Sequence, residues 1–233
     1  MTKVLFVVSA ADGWELKDGT VHPTGVWAEE LAEPHRIFSE QGWDITLATP
    51  GGVAPTIDQL SLGIAGGLPG KRKRIEAYLE SIAEQMNNPV SLSDVDQADY
   101  DLVFYPGGHG PMADLAQDKT SGALLVERLA ADRPLALLCH APAAILAAKK
   151  EDGSNAFAGR TMTGFSDMEE KLNTFSSKVP WFLETEMKNA GVEYSKALLP
   201  LKSHVVRDGN LFSGQNPASA EELATTIVKA MKG

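Results

Sequence analysis

The chain holds a single cysteine in 233 residues, Cys139, so no internal disulfide can form and stability must come from an apolar core. No apolar run approaches the ~18 residues that a membrane-spanning helix needs. Basic residues are outnumbered, 21 against 31 acidic, and the net charge of -10 denies the chain a general attraction to nucleic-acid phosphates or to an anionic membrane. The one basic cluster, Lys71-Arg72-Lys73-Arg74, opens a helix-like stretch ending near Met86 and reads as a solvated face. The five histidines, at 22, 35, 109, 140 and 204, show no clustered ligand spacing, which argues against a metal. No internal repeat or low-complexity tract interrupts the chain, and Met1-Thr2-Lys3 leads into a strand-like run rather than a signal-peptide apolar region. The expectation is one domain over residues 1–233, cytoplasmic, with no nucleic-acid or membrane partner.

Against these absences stand four short apolar runs: Val4 to Val8, Asp44 to Ala48, Leu102 to Tyr105 and Leu135 to Leu138. Continuous rather than alternating hydrophobicity marks strands buried on both faces, as in a parallel sheet covered by helices. Helical patterns lie between them at Gly25 to Gln41, Arg72 to Met86, Thr120 to Ala131 and Ala141 to Lys149. Strand and helix in alternation predict an α/β doubly wound sandwich, whose ligand site lies beyond the carboxyl ends of the strands. The Gly/Pro-rich stretch from Thr49 to Gly70 reads as a surface excursion able to carry a lid. Near the end, Asp208-Gly209-Asn210 marks a hairpin, and Asn216-Pro217 starts an amphipathic helix running to about Met231.

Cys139 ends the run Leu135 to Leu138 and is followed at once by the helix-like His140 to Ile145, so the strand-to-helix junction exposes a sulfur. A helix N-terminus there favours thiolate over thiol. The alternative is a cysteine packed as a small hydrophobe. The amide of His140, one residue past a nucleophile, can face an oxyanion. A second strand ends in Tyr105-Pro106-Gly107-Gly108-His109-Gly110, where Gly107 and Gly108 let the backbone turn N–H groups toward a ligand. Glu30 falls on the apolar side of the first helix with Val26, Trp27 and Leu31, whereas Glu29 and Glu33 read as a solvated pair. A buried Glu30 beside the thiol would have a raised pKa suited to holding and exchanging a proton. In Ser166-Asp167-Met168-Glu169-Glu170 a carboxylate can orient His140 in a Cys-His-acid triad, or the acids can simply favour a helix N-terminus.

The segments TGVWAEELAEP (24–34), YPGGHGPMADLA (105–116), LCHAPAAIL (138–146), TGFSDMEE (163–170), VPWFLETEM (179–187) and SGQNPASA (213–220) together resemble the ThiJ/PfpI superfamily. The match is to the branch holding fungal heat-shock chaperones and glyoxalase III proteins. The resemblance implies a flavodoxin-like fold with a small cap, related to class I glutamine amidotransferases. It implies Cys139 as nucleophile with His140, Glu30 as the proton-handling acid, Glu170 as triad acid, and Gly108 and His140 as oxyanion donors. The activity implied is conversion of a small 2-oxoaldehyde to a 2-hydroxy acid without glutathione or any redox cofactor, in a homodimer. The alternatives are a thiol amidase, peptidase or deglycase, and a stress-response chaperone or redox sensor.

Overall fold

In the computed structural model, which describes residues 1–232, seven strands form one sheet. Its first strand, β1 (Lys3–Val7), is followed by a small hairpin of β2 (Gly13–Glu15) and β3 (Val21–Pro23), and then by helix α1 (Ala28–Glu40). Next come β4 (Asp44–Thr49), β5 (Val90–Ser91), β6 (Leu102–Tyr105) and β7 (Leu135–Leu138). A short parallel pair, β8 (Thr161–Met162) and β9 (Glu193–Tyr194), lies outside the sheet, and β10 (Val205–Asp208) and β11 (Leu211–Gly214) complete it. The sheet order is β10-β11-β7-β6-β1-β4-β5, parallel throughout except for β10.

The apolar runs explain this core. Val4 to Val8, Leu102 to Tyr105 and Leu135 to Leu138 are all buried, because helices cover both faces. On one face α1 packs against Ala220–Lys232 and Pro69–Ser81; on the other, Lys119–Ala130 packs against the turn after β7. Each buried Leu or Phe contributes on the order of 2 kcal/mol through removal from water. The chain runs outward from β1 through β4 to β5, then returns to β6 on the other side of β1. Strand order therefore reverses between β1 and β6, and the crevice at that switch point collects the loops after β1, β6 and β7.

Several local expectations change. α1 begins at Ala28, not Gly25: residues 25–27 run extended, with Val26 bridged to Ile57. The Arg72–Met86 helix divides at Ile82 into Pro69–Ser81 and Ala83–Asn87. The segment after Cys139 is a 3-10 helix over Ala141–Ala147 rather than an α-helix. The basic cluster is not simply a solvated face. Lys71 pairs with Glu29 at 2.5 Å and Arg74 with Glu33 at 2.8 Å, so these two acids are covered rather than solvated. Burial raises the Glu29 pKa against the pull of Lys71; at Glu33 burial also pushes up, but Arg36 and Arg74 outweigh it and hold the carboxyl low. Among the described residues no helix is long and apolar enough to cross a membrane.

Candidate active site

Cys139 stands where β7 gives way to the 3-10 turn, with φ of +60°, a left-handed conformation that costs a non-glycine residue about 1–3 kcal/mol. The surroundings enforce it: the Cys139 N–H donates to Gly214 O at 2.8 Å, and the Phe165 N–H donates to Cys139 O at 2.8 Å. The result is a sharp elbow that turns the sulfur away from the sheet. The residue is only 3% exposed, yet it borders a cavity of about 260 Å³ shared with His109, His140, Gly108, Trp27 and Phe165. The thiol is thus reachable, not sealed among hydrocarbon.

Glu30 reaches the sulfur because the start of α1 is pinned to the loop after β6. The Trp27 N–H donates to Gly107 O at 3.0 Å, and the Gly107 N–H donates to Glu30 Oε2 at 2.9 Å. A Cβ on Gly107 would collide with Glu30, Leu138 O and His140 N, which is why the position takes glycine. Since the Gly107 N–H is spent on Glu30, Gly107 does not serve as an oxyanion donor; its task is to hold the acid. The Glu30 carboxyl is fully buried, and burial pushes its pKa up to about 8, with the Cys139 and Gly107 hydrogen bonds pulling the other way. Its Oε1 is sealed from solvent and makes no hydrogen bond of normal geometry.

Burial, reinforced by Glu30, pushes the Cys139 thiol well above its ordinary value, opposed by the Gly108 N–H. The expected helix-dipole activation is overturned, because a seven-residue 3-10 turn offers little aligned dipole against full desolvation. The sulfur therefore rests as a thiol and needs a base. His140 supplies one: its Nδ1 lies 3.3 Å from Sγ while its Nε2 lies 2.7 Å from Glu170 Oε2. A carboxylate only accepts, so Nε2 carries the hydrogen and Nδ1 presents its lone pair to the thiol. Burial, then nearby His109, holds His140 below its ordinary pKa against the opposing pull of Glu170, keeping it neutral and basic.

The adjacent acids have different partners. Glu169 touches no histidine: it accepts from the Ser166 N–H and Oγ, Gln215 Nε2, Asn216 Nδ2 and the Leu201 N–H. It ties the 196–204 loop to the turn Asp167–Glu170 and closes a capping box with Ser166. Glu170 instead meets His140 and, through Oε1, both His109 Nε2 at 3.0 Å and Asn173 Nδ2 at 2.9 Å. Burial opposes its ionisation, but His140 and His109 outweigh it and hold the carboxyl far below the usual range.

His109 is the site residue that sequence reasoning passed over, since Glu170 lies 61 positions away and no local spacing announces the pairing. The histidines are unclustered in the chain but not in space. Ligand atoms of His109, His140 and Glu170 lie within 4.8 Å of one another, a grouping whose size would suit a metal ion. Those atoms are already paired by hydrogen bonds, and we assign them to proton chemistry. The Gly/Pro-rich excursion brings Ala65 to the cavity, whose lining also includes Leu172 and Leu201. The arrangement can hold a nucleophile, remove its proton, stabilise an oxyanion at the Gly108 and His140 amides, and exchange a proton at Glu30.

Residues 21–230 match the family described as DJ-1/PfpI. Among curated proteins the chain is similar to the protein/nucleic acid deglycase HchA of Escherichia coli, 24% identical over 238 residues, covering 98% of this chain and 81% of that protein. Among solved structures it is similar to the rapid encystment protein of 24 kDa from Francisella tularensis, with a TM-score of 0.85 at 29% identity over 99% of both chains. It is also similar to glyoxalase III from Candida albicans, with a TM-score of 0.83 at 25% identity over 98% of this chain and 97% of that one.

Proposed function

The chain belongs to the DJ-1/PfpI family, and from that premise we propose that it is a glutathione-independent glyoxalase converting methylglyoxal or glyoxal to the corresponding 2-hydroxy acid. The observation that carries this reading is the Glu30 carboxyl, fully buried against the sulfur with its pKa raised to about 8. A thiol hydrolase needs only a nucleophile, a base and an oxyanion site. Moving hydrogen between neighbouring carbons needs in addition an acid that can both take and return a proton near neutral pH.

Cys139 Sγ attacks the aldehyde carbon while His140 Nδ1 takes the thiol proton. An S–C bond forms, and the carbonyl electron pair moves to oxygen, held by the Gly108 and His140 amides until that oxygen receives the proton. Ionised Glu30 removes the hydrogen from the former aldehyde carbon, giving an enediolate, and returns it to the neighbouring carbon, while the hydroxyl proton of the hemithioacetal passes to the neighbouring carbonyl oxygen. One carbon is oxidised and the other reduced, so a thioester of the 2-hydroxy acid results without external electrons. Water then cleaves the thioester. Triad geometry, oxyanion donors and similarity to a glyoxalase III support this sequence.

Purified protein mixed with methylglyoxal, without glutathione, should release lactate, and Cys139→Ser should release none. Absence of lactate from the native protein, or equal rates from the two, refutes the proposal. The similarity to HchA supports a second reading, in which the same thiol attacks the carbonyl carbon of a glycated amine. Amine release from a methylglyoxal-treated peptide, compared with lactate release on the same preparation, separates the two.

A further inference from the structure

We propose that His109 is the general base that activates water for cleavage of the Cys139 thioester. The inference rests on the acyl-thiol step of the preceding reading, not on which carbonyl compound forms it.

Glu170 serves two imidazoles at once. Oε2 accepts from His140 Nε2 at 2.7 Å and Oε1 from His109 Nε2 at 3.0 Å, with Asn173 Nδ2 completing the second oxygen at 2.9 Å. Both rings therefore carry their hydrogen on Nε2 and a lone pair on Nδ1. In His140 that lone pair faces Sγ at 3.3 Å. In His109, among the described residues, Nδ1 has no protein partner, and the nitrogen is not among the sealed, unpaired atoms. The His109 ring borders the same cavity as Cys139, its centroid 4.1 Å from that of His140. Trp14 stacks on it at 5.7 Å and Phe175 meets it edge-on at 5.2 Å, which fixes the ring plane. Its chain neighbour is Gly108, whose amide would hold the thioester oxygen, so base and oxyanion donor are adjacent.

In the step itself, water gives a proton to His109 Nδ1 as its oxygen bonds to the thioester carbon. The tetrahedral oxyanion rests on the Gly108 and His140 amides. Collapse breaks the C–S bond, the electron pair leaves on sulfur, and the proton that His109 took from water passes to that sulfur and restores the thiol. Hydroxy acid leaves, with no net change in the protein.

p-Nitrophenyl acetate tests this without any 2-oxoaldehyde: it acylates the thiol with a burst of p-nitrophenolate, after which hydrolysis of acetyl-Cys139 sets the steady rate. His109→Gln keeps a donor for Glu170 but has no base at the Nδ1 position; His109→Phe keeps the aromatic stack. In both, acetyl-Cys139 should still form, while its hydrolysis falls about a hundredfold or more, so that the steady rate drops and the acyl form accumulates by intact mass. A His109→Gln protein that sustains the native steady rate overturns the inference and reduces His109 to a positioning residue. Burst and steady rates falling together, or a native protein that is never acylated at Cys139, overturn it as well. Failure of the glyoxalase reading looks different: no lactate from methylglyoxal, with the ester burst and its His109-dependent decay intact.

Discussion

Replacing Glu30 by Gln should make the protein more stable and abolish lactate formation. The cost of Glu30 is readable from its site: the carboxyl is fully buried, receives one backbone N–H, and has its pKa raised from 4.5 to about 8. Between those two values the folded chain holds a proton that the unfolded chain has released, so stability falls as pH rises. Each pH unit in that window costs about 1.36 kcal/mol. Over the 2.5 units from 4.5 to pH 7 the penalty is about 3 kcal/mol, and it levels off once pH passes the folded value near 8. Gln keeps the shape and can still accept from the Gly107 N–H but cannot ionise, so it escapes this penalty. The assay is urea unfolding followed by circular dichroism at pH 5, 6, 7 and 8, native against variant. The stability difference should be small at pH 5 and grow by about 1.4 kcal/mol per unit in favour of Gln. A pH-independent difference, or a Gln variant less stable than native at pH 8, refutes the reasoning.

Gly108 has φ of +96°, and a Cβ there would collide with Gly25 O and Trp27 N, so Gly108→Ala should cost at least about 2 kcal/mol. The same shift moves the amide away from the sulfur, so alkylation of Cys139 by iodoacetamide should slow; unchanged stability and reactivity would show that the loop relaxes freely. Arg128 is buried without a carboxylate partner, its guanidinium donating to the carbonyls of Gln97, Tyr100, Asp101 and Pro134 at 2.7 to 3.1 Å. Arg128→Ala strands those acceptors and should lower stability by about 3–5 kcal/mol in thermal or urea unfolding, without changing the pH dependence of alkylation. A loss below about 1 kcal/mol would mean that water replaces the guanidinium there.

What could be read along the chain is what depends on neighbours in sequence. Val4 to Val8 and Leu135 to Leu138 announce buried parallel strands because an unbroken apolar run has no solvated face to offer. Glu30 could be singled out because an acid three and four positions after Trp27 and Val26 falls on their side of the expected helix. Glu29 and Glu33 misled for a matching reason: Lys71 and Arg74, which cover them, belong to another helix about 40 residues on, and no periodicity reports those contacts, although Arg36, the other partner of Glu33, lies on the same helix. The two- and three-residue strands β2, β3, β5, β8 and β9 are too short to display any period at all.

The harder failure concerns charge. A thiol at a strand-to-helix junction invites the inference of a depressed pKa, and that inference considers the dipole alone. In the folded protein the dipole belongs to a 3-10 turn of seven residues, while desolvation and a carboxyl delivered from α1 act on the same atom with the opposite sign. Desolvation wins because it acts on the whole charge, whereas a short turn offers a fraction of one. Activation therefore passes from the resting sulfur to His140, and from His140 to the acid that keeps its Nδ1 unprotonated. A chain that placed Cys139 identically but lost Glu170 would retain the elbow, the cavity and the oxyanion amides, yet hold a thiol with no oriented base to ionise it.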